Sequence, residues 1–166
     1  MRRPVVGVMG GSKATQDVSE MARRLGALIA QRGWILLNGG RNCGVMAASA
    51  RGAKEANGTV IGILPDMTTK RASSDLDIAV VTGMHDARNL INVLSSDVVI
   101  ACPGSLGTLS EIVLALKHDK RVILLGYDDI GPELEKYRKR GQLTCADTPD
   151  EAVEQAATVL RSRRTG

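Results

Sequence analysis

The 166-residue sequence contains no phenylalanine, one tryptophan and two tyrosines, so aromatic residues make up only 2% of it. A platform of aromatic rings for stacking nucleic-acid bases is therefore hard to build. The net charge of +4 is small, and part of it comes from Arg161, Arg163 and Arg164 near the C-terminus. These features argue against nucleic-acid binding. They predict an aliphatic core and a basic tail over residues 161–166.

Cysteine and histidine are also scarce. Cys43, Cys102 and Cys145 are odd in number and include no C-x-x-C pair, which argues against a disulfide framework and against a zinc site. The two histidines, His85 and His118, are too few for a histidine-based metal centre, and they give little support for a Ser-His-Asp catalytic triad. No apolar run is long enough to cross a bilayer, and the N-terminal segment lacks a signal-peptide core. We therefore expect a cytoplasmic protein without a metal centre or membrane association.

The sequence does contain short apolar runs that alternate with helical patterns, as in α/β proteins. A chain of this length and composition fits a single domain over residues 1–166. Short turns between the segments predict a Rossmann-like, doubly wound, mainly parallel sheet with helices on both faces. The predicted strands are 5–9, 34–37, 59–64, 78–81, 98–101, 121–125 and 143–146, and the predicted helices are 17–32, 45–57, 87–94, 108–117, 132–140 and 149–160.

Three of these strands run into glycine-rich turns that lead to helices. Backbone N–H groups and the positive end of the helix dipole at such turns favour an anionic group, and phosphate is the obvious candidate. Ligands of such sheets bind at the carboxyl ends of the strands near the switch point, where the turns should converge. The first turn lacks the G-x-G-x-x-G pattern, so a classical NAD site is not supported. The candidate ligand-binding residues are Gly10, Gly11, Ser12, Gly39, Gly40, Arg41, Asn42, Gly44, Val45, Met46, Pro103, Gly104, Ser105, Leu106, Gly107 and Thr108.

Two charged residues near these turns, Arg88 and Glu111, are candidates for chemistry. Arg88 lies in the first turn of the helix for which Asp86 is the predicted cap. Glu111 has two interpretations. Its spacing from Thr108 matches a capping box, in which its role is structural. Alternatively, a carboxylate at a phosphate site is electrostatically unfavourable unless it has a catalytic role.

Residues 103–111, P-G-S-L-G-T-L-S-E, resemble the P-G-G-x-G-T-x-x-E signature of the LONELY GUY (LOG) family, with Ser105 in place of the second glycine. Residues 84–88, M-H-D-A-R, resemble that family's M-H-x-R-K segment, with one residue inserted and Asn89 in place of lysine. LOG enzymes cleave the N-glycosidic bond of cytokinin nucleoside monophosphates. The resemblance implies that Arg88 and Glu111 form the catalytic pair of a phosphoribohydrolase that requires no cofactor.

A second similarity extends over residues 33–46, 52–56, 61–65, 77–82, 87–96 and 114–117. These segments are similar to molybdenum cofactor carrier proteins, which are non-catalytic relatives that hold a pterin-phosphate cofactor. The similarity runs from Val5 to about Gly126 and implies that molybdenum cofactor or a nucleoside monophosphate is the bound ligand. Unlike those carriers, this chain keeps Pro103 and most of the enzyme signature, so the carrier and hydrolase hypotheses both stay open. A pyridoxal phosphate decarboxylase is not supported, because no lysine lies at a strand end facing the predicted cleft.

Two further features bear on assembly and access to the site. The helices over residues 87–94 and 111–116 carry more apolar surface than one sheet can cover. They predict a homodimer, with a tetramer as a further option, and the resemblance implies the same. Residues 66–77 have no periodicity and are rich in polar side chains, which is typical of a mobile loop able to cover a site.

Overall fold

Short apolar segments of the sequence form strands that lie in a single sheet. The computed structural model describes residues 2–162. Within them the strands are β1 (Val5–Met9), β2 (Ile35–Asn38), β3 (Thr59–Leu64), β4 (Ile78–Val81), β5 (Val98–Ala101), β6 (Val122–Leu125) and β7 (Leu143–Ala146). The strand order is β4-β3-β2-β1-β5-β6-β7, and each neighbouring pair is parallel. The predicted doubly wound parallel sheet is therefore confirmed.

Helices connect the strands and cover both faces of the sheet. Side chains along β5 alternate between two core layers, with Val98 and Ile100 in the first and Val99 and Ala101 in the second. The first layer is completed by α1, α2 and α6, and the second by α3, α4 and α5. No helix among residues 2–162 is long and apolar enough to span a membrane. The helices are α1 (Gln16–Gln31), α2 (Gly44–Glu55), α3 (Arg88–Ser95), α4 (Leu106–Lys117), α5 (Pro132–Lys139) and α6 (Pro149–Ser162).

Two helix starts near the candidate site differ from the prediction. A 3₁₀ turn over His85–Ala87 precedes α3, which begins at Arg88 without a side-chain cap, so the prediction of Asp86 as its cap is wrong. The helix α4 begins at Leu106, two residues earlier than predicted, because the chain is already helical within the glycine turn. Ser105 is its N-cap residue and makes no side-chain capping hydrogen bond. The Thr108–Glu111 capping box is therefore wrong as well.

The C-terminal helix α6 extends two residues beyond the predicted end. Arg161, predicted to begin the basic tail, lies in its last turn. The rest of that predicted tail, residues 163–166, lies outside the described residues.

The order of strands places the switch point of the sheet between β1 and β5. After β1 the chain adds β2, β3 and β4 outward on one side, and then returns to add β5 on the other side of β1. The carboxyl ends of β2, β1 and β5 are consequently adjacent. This edge is where such sheets bind ligands, and each of these three strands runs into one of the predicted glycine turns.

Candidate functional site

The three glycine turns are in direct contact with one another. The turn after β1 lies in the middle: Gly11 N donates to the Pro103 carbonyl at 3.2 Å, and Val45 N donates to the Gly11 carbonyl at 3.0 Å. A Cβ at Gly104 would lie 2.8 Å from Gly11 N, and one at Gly44 would lie 2.1 Å from Gly11 O. Glycine is thus required for the turns to approach each other. The predicted convergence of the three turns is confirmed.

The turns surround a cleft into which most of the predicted site residues project. Four residues that the sequence analysis did not select also contribute to its lining: Val8, Met9, Asp86 and Asn89. Asp86 and Asn89 lie within two residues of Arg88 in the sequence. That proximity to a predicted site residue was the signal by which they could have been selected. The predicted residues that line the cleft are Gly10, Gly11, Ser12, Gly39, Arg41, Met46, Arg88, Ser105, Gly107, Thr108 and Glu111.

The remaining predicted residues do not line this cleft but support it or face elsewhere. Gly44 and Val45 hold the first two turns together, as described above. Gly40 has a φ of 76°, a left-handed conformation that favours glycine. Leu106 lies on a separate apolar groove beside α5. The other residues of this set are Asn42, Pro103 and Gly104.

Arg88 presents a partly buried cation to the cleft. Its Nη1 donates to the Ile63 carbonyl at 2.9 Å, and a Cβ at Gly39 would lie only 2.0 Å from that nitrogen. The missing side chain of Gly39 therefore makes room for the guanidinium. Burial lowers the pKa of Arg88, whereas the nearby charge of Glu111 raises it, and arginine stays protonated in proteins. Its Nε is buried and has no hydrogen-bond partner among residues 2–162.

Glu111 is a buried carboxyl in the second turn of α4, with 7% of its surface exposed. Its Oε1 accepts a hydrogen bond of 2.8 Å from Nδ2 of Asn92, a fully buried residue on α3. Burial raises the pKa of Glu111 to about 7, against the opposing effects of the Asn92 hydrogen bond and the Arg88 charge. The carboxyl therefore changes charge near neutral pH. Sequence reasoning missed Asn92 because a single asparagine in an apolar helix has no distinctive pattern.

Arg41 also lines the cleft, but its charge is largely engaged by a neighbour. Its Nε and Nη2 donate to the two carboxylate oxygens of Asp66 at 2.9 and 2.7 Å. The hydrogen bond from Arg41 lowers the pKa of Asp66, which therefore stays ionised. Arg88 is the cation of the cleft with more capacity to bind an anion.

The predicted loop over residues 66–77 lies against the second glycine turn. Asn42 N donates to the Arg71 carbonyl, and Ser73 N donates to the Gly40 carbonyl, each at 2.9 Å. The loop therefore borders the site through backbone hydrogen bonds to the turn.

The second turn is held from below by Asn38, a fully buried residue at the end of β2. Its Nδ2 donates to the Met46 carbonyl at 2.9 Å, and its Oδ1 accepts from Gly40 N at 2.8 Å.

The residues described contain no group of three or more histidine, cysteine or acidic side chains arranged to hold a metal. The cleft combines backbone amides with the guanidinium groups of Arg41 and Arg88 and the carboxyls of Asp86 and the buried Glu111.

Comparison with known proteins gives one family and several relatives. The family model LDcluster4, described as the SLOG cluster4 family, matches residues 3–153. The molybdenum cofactor binding protein from the phototrophic bacterium Rippkaea orientalis superposes with a TM-score of 0.91 at 51% identity, covering 96% of this chain and 99% of that one. The molybdenum cofactor carrier protein of Chlamydomonas reinhardtii has a TM-score of 0.86 at 42% identity, with coverage of 96% and 99%.

Among curated relatives, the cytokinin riboside 5'-monophosphate phosphoribohydrolase of Mycobacterium tuberculosis is 35% identical over 117 residues. That alignment covers 66% of this chain and 63% of the enzyme, so the chain spans less than two thirds of the enzyme's length. An uncharacterized protein of Archaeoglobus fulgidus is 45% identical over 126 residues, which cover 75% of this chain and 82% of that protein.

Proposed function

The chain belongs to the SLOG cluster4 family, and we propose that it is a binding protein that carries molybdenum cofactor or a related phosphorylated nucleotide. The observation that carries this proposal is the convergence of three glycine turns and the Arg88 guanidinium on one cleft at the carboxyl edge of the sheet. The ligand is a small molecule with a phosphate group.

The groups around the cleft suit a phosphate. The first N–H groups of an α-helix have no acceptor within the helix, and those of α4 follow Ser105 at the edge of the cleft. The unpartnered Nε of Arg88 adds a charged donor. Backbone amides and one arginine would thus hold the phosphate of molybdenum cofactor while its pterin extends from the turns.

The extent of similarity favours the carrier hypothesis over the enzyme hypothesis. The match to the Rippkaea orientalis protein extends over 99% of that chain at 51% identity, whereas the match to the mycobacterial hydrolase covers 63% of the enzyme at 35% identity. Because the match covers nearly the whole of that protein, it includes both the turns and the helices around the cleft.

Two measurements on the purified protein test this proposal. It should protect molybdenum cofactor released from a molybdoenzyme against loss, as measured by reconstitution of a cofactor-free enzyme. It should also bind adenosine monophosphate in isothermal calorimetry. Arg88→Met should weaken nucleotide binding by roughly 10- to 100-fold, because a hydrogen-bonded charge is lost. Arg24→Met, at an exposed arginine paired with Asp150, is the matched control. Failure to protect the cofactor would contradict the carrier function.

A second candidate function is hydrolysis of a nucleoside 5'-monophosphate to a free base. It is favoured by the presence of Arg88 and Glu111 in the same cleft, with an electrostatic interaction between them. An ionised Glu111 would stabilise an oxocarbenium ion or orient the attacking water, while Arg88 would hold the phosphate or neutralise the departing base. Chromatography of adenosine monophosphate incubated with the protein should then reveal adenine, and Glu111→Ala should abolish it. Activity that survives Glu111→Ala would exclude this mechanism.

For assembly, we propose a homodimer formed through the outer face of α3 and α4. Leu94, Leu109 and Val113 are each about half exposed on these helices, which is unfavourable for a face in contact with water. Sedimentation velocity should give a dimer or tetramer for the wild type, and Val113→Lys should shift it toward the monomer. A monomeric wild type would contradict this proposal.

A further inference from the structure

The pair formed by Asn92 and Glu111 contains a buried polar atom that the fold alone does not explain. Asn92 Nδ2 donates to Glu111 Oε1 at 2.8 Å, but Asn92 Oδ1 is buried and has no hydrogen-bond partner among residues 2–162. Buried acceptors are nearly always paired, and an exception calls for an explanation. The capping box would have given Glu111 a purely structural role, but α4 begins too early for it.

A side-chain amide can form a hydrogen bond with a carboxyl in either charge state. An ionised carboxylate only accepts hydrogen bonds, so it uses the Nδ2 group of Asn92. A protonated carboxyl has an O–H to donate, and a half-turn of the amide about its terminal bond offers Oδ1 as the acceptor. The unpartnered oxygen of Asn92 therefore gives the second charge state an acceptor for its proton.

We propose that Asn92 is a positioning residue that holds the Glu111 carboxyl in both charge states, so that this carboxyl acts as a proton-dependent gate for the anionic part of the ligand. This inference rests on the proposed phosphate-binding function. Asn92 lies one helical turn after Arg88 on α3, and Glu111 lies one turn after Thr108 on α4. The pair is thus carried by the helix that begins at Arg88 and the helix that begins in the third glycine turn.

The charges that face the cleft give the direction of the effect. Arg88 from α3 is opposed by Asp86 from the preceding 3₁₀ turn, and Arg41 from the second glycine turn is neutralised by Asp66. A neutral Glu111 leaves more of the positive charge of Arg88 available to an anion. An ionised Glu111 competes with that anion for Arg88 and repels it. Because burial raises the pKa of Glu111 to about 7, binding should weaken as the pH rises through neutrality.

The first experiment measures the titration of Glu111 without any ligand. The carboxyl carbon is followed by ¹³C NMR from about pH 5 to about pH 9, and its signal is assigned by its absence in Glu111→Gln. Asn92→Leu removes the amide at similar volume. It should raise the titration midpoint by about half a unit to one unit, because the hydrogen bond to the charged form is the stronger one. If Asn92→Leu does not fold, as judged by circular dichroism, Asn92→Ser takes its place with the same expected direction.

The second experiment measures binding of inorganic sulfate by calorimetry at about pH 5.5 and about pH 8.5. Sulfate is used because its charge is constant in this range, whereas phosphate groups titrate near pH 6. The wild type should bind sulfate about tenfold more weakly at the higher pH, which by linkage corresponds to a one-unit rise in the midpoint of Glu111 when sulfate is bound. Glu111→Gln should show no such dependence. Glu20→Gln, on the exposed side of α1, should behave like the wild type.

The outcomes separate the gate from the proposed function. An unchanged titration midpoint in the Asn92 variants, or an equal pH dependence in Glu111→Gln and the wild type, would overturn the gate while leaving phosphate binding intact. Absence of sulfate binding at both pH values in every variant would overturn the gate and count against the phosphate site itself.

Discussion

The helix pairs on the two faces of the sheet differ in what they bury. On one face, α1 and α2 approach until their backbones touch: a Cβ at Gly52 would lie 1.8 Å from the Arg23 carbonyl oxygen, and one at Gly26 would lie 2.0 Å from that of Ser49. On the other face, α3 and α4 enclose the Asn92–Glu111 pair. Glycines thus allow α1 and α2 to pack closely, whereas α3 and α4 bury a carboxyl between them.

The same contrast appears on the outer surfaces of these helices. The exposed side of α1 and α2 carries charges that pair with each other, such as Arg23 with Glu55. The exposed side of α3 and α4 carries Leu94 and Val113. A buried carboxyl and an apolar outer surface are unusual for a helix pair whose interior is otherwise apolar. The comparison indicates that α1 and α2 are packed for stability, whereas α3 and α4 carry a buried carboxyl beside the cleft and an apolar outer surface.

The largest expected effect on stability tests the close packing of α1 against α2. Gly52→Val places a branched side chain against a backbone carbonyl that cannot move aside, and should lower the free energy of unfolding by about 3 kcal/mol or more. Gly107→Ala is the matched control, since a Cβ there meets nothing within 4 Å. It should leave stability unchanged or raise it by about 0.5–1 kcal/mol, because alanine is the better helix former. Urea denaturation measures both, and equal effects would show that the close approach of α1 and α2 is not decisive.

The next effect tests the cost of the buried carboxyl. The pKa of Glu111 rises from 4.5 to about 7 on folding, so between these values the folded state binds a proton that the unfolded state has released. The contribution of Glu111 to stability therefore falls as the pH rises through this window, and the full cost of about 3 kcal/mol applies above about pH 7. Glu111→Gln should be more stable than the wild type at about pH 8 and nearly equal to it at about pH 4.5.

Urea denaturation across that pH range measures this difference, with Glu20→Gln as the control for the loss of one carboxylate from the surface. A stability difference between Glu111→Gln and the wild type that does not change with pH would mean that Glu111 titrates normally in the folded protein.

The sequence was sufficient for the sheet because most of its strands are short apolar runs buried on both faces, such as Val98–Ala101, whereas the edge strand β4 is exposed. It was also sufficient for the convergence of the turns, because parallel strands present their carboxyl ends at one edge. The start of α4 was placed two residues too late, since a Ser-Leu-Gly segment reads as a turn when its neighbours are unknown. That small error supported a capping role for Glu111.

The side-chain partners in the site could not be predicted. Asn92 and Glu111 are 19 residues apart and meet only because α3 and α4 pack together. Likewise, the pairing of Arg41 with Asp66 depends on how the loop after β3 folds back on the second turn. Spacing along one helix is visible in a sequence, whereas contacts between elements depend on packing geometry that a single sequence does not contain.

The smallest expected effects compare two helix N-caps, one on each face. Thr15 Oγ1 accepts a hydrogen bond from Val18 N at the start of α1, whereas Ser105 at the start of α4 makes no side-chain cap. Thr15→Ala should therefore cost about 1 kcal/mol of stability and leave nucleotide affinity unchanged. Ser105→Ala should leave the free energy of unfolding nearly unchanged but weaken binding of adenosine monophosphate by about three- to tenfold, as the loss of one neutral hydrogen bond to the ligand predicts. Thermal unfolding and calorimetry on the same samples separate the two quantities. If Ser105→Ala lowered stability as much as Thr15→Ala, the hydroxyl would be serving the helix, and the N–H groups at the start of α4 would not be reserved for a ligand.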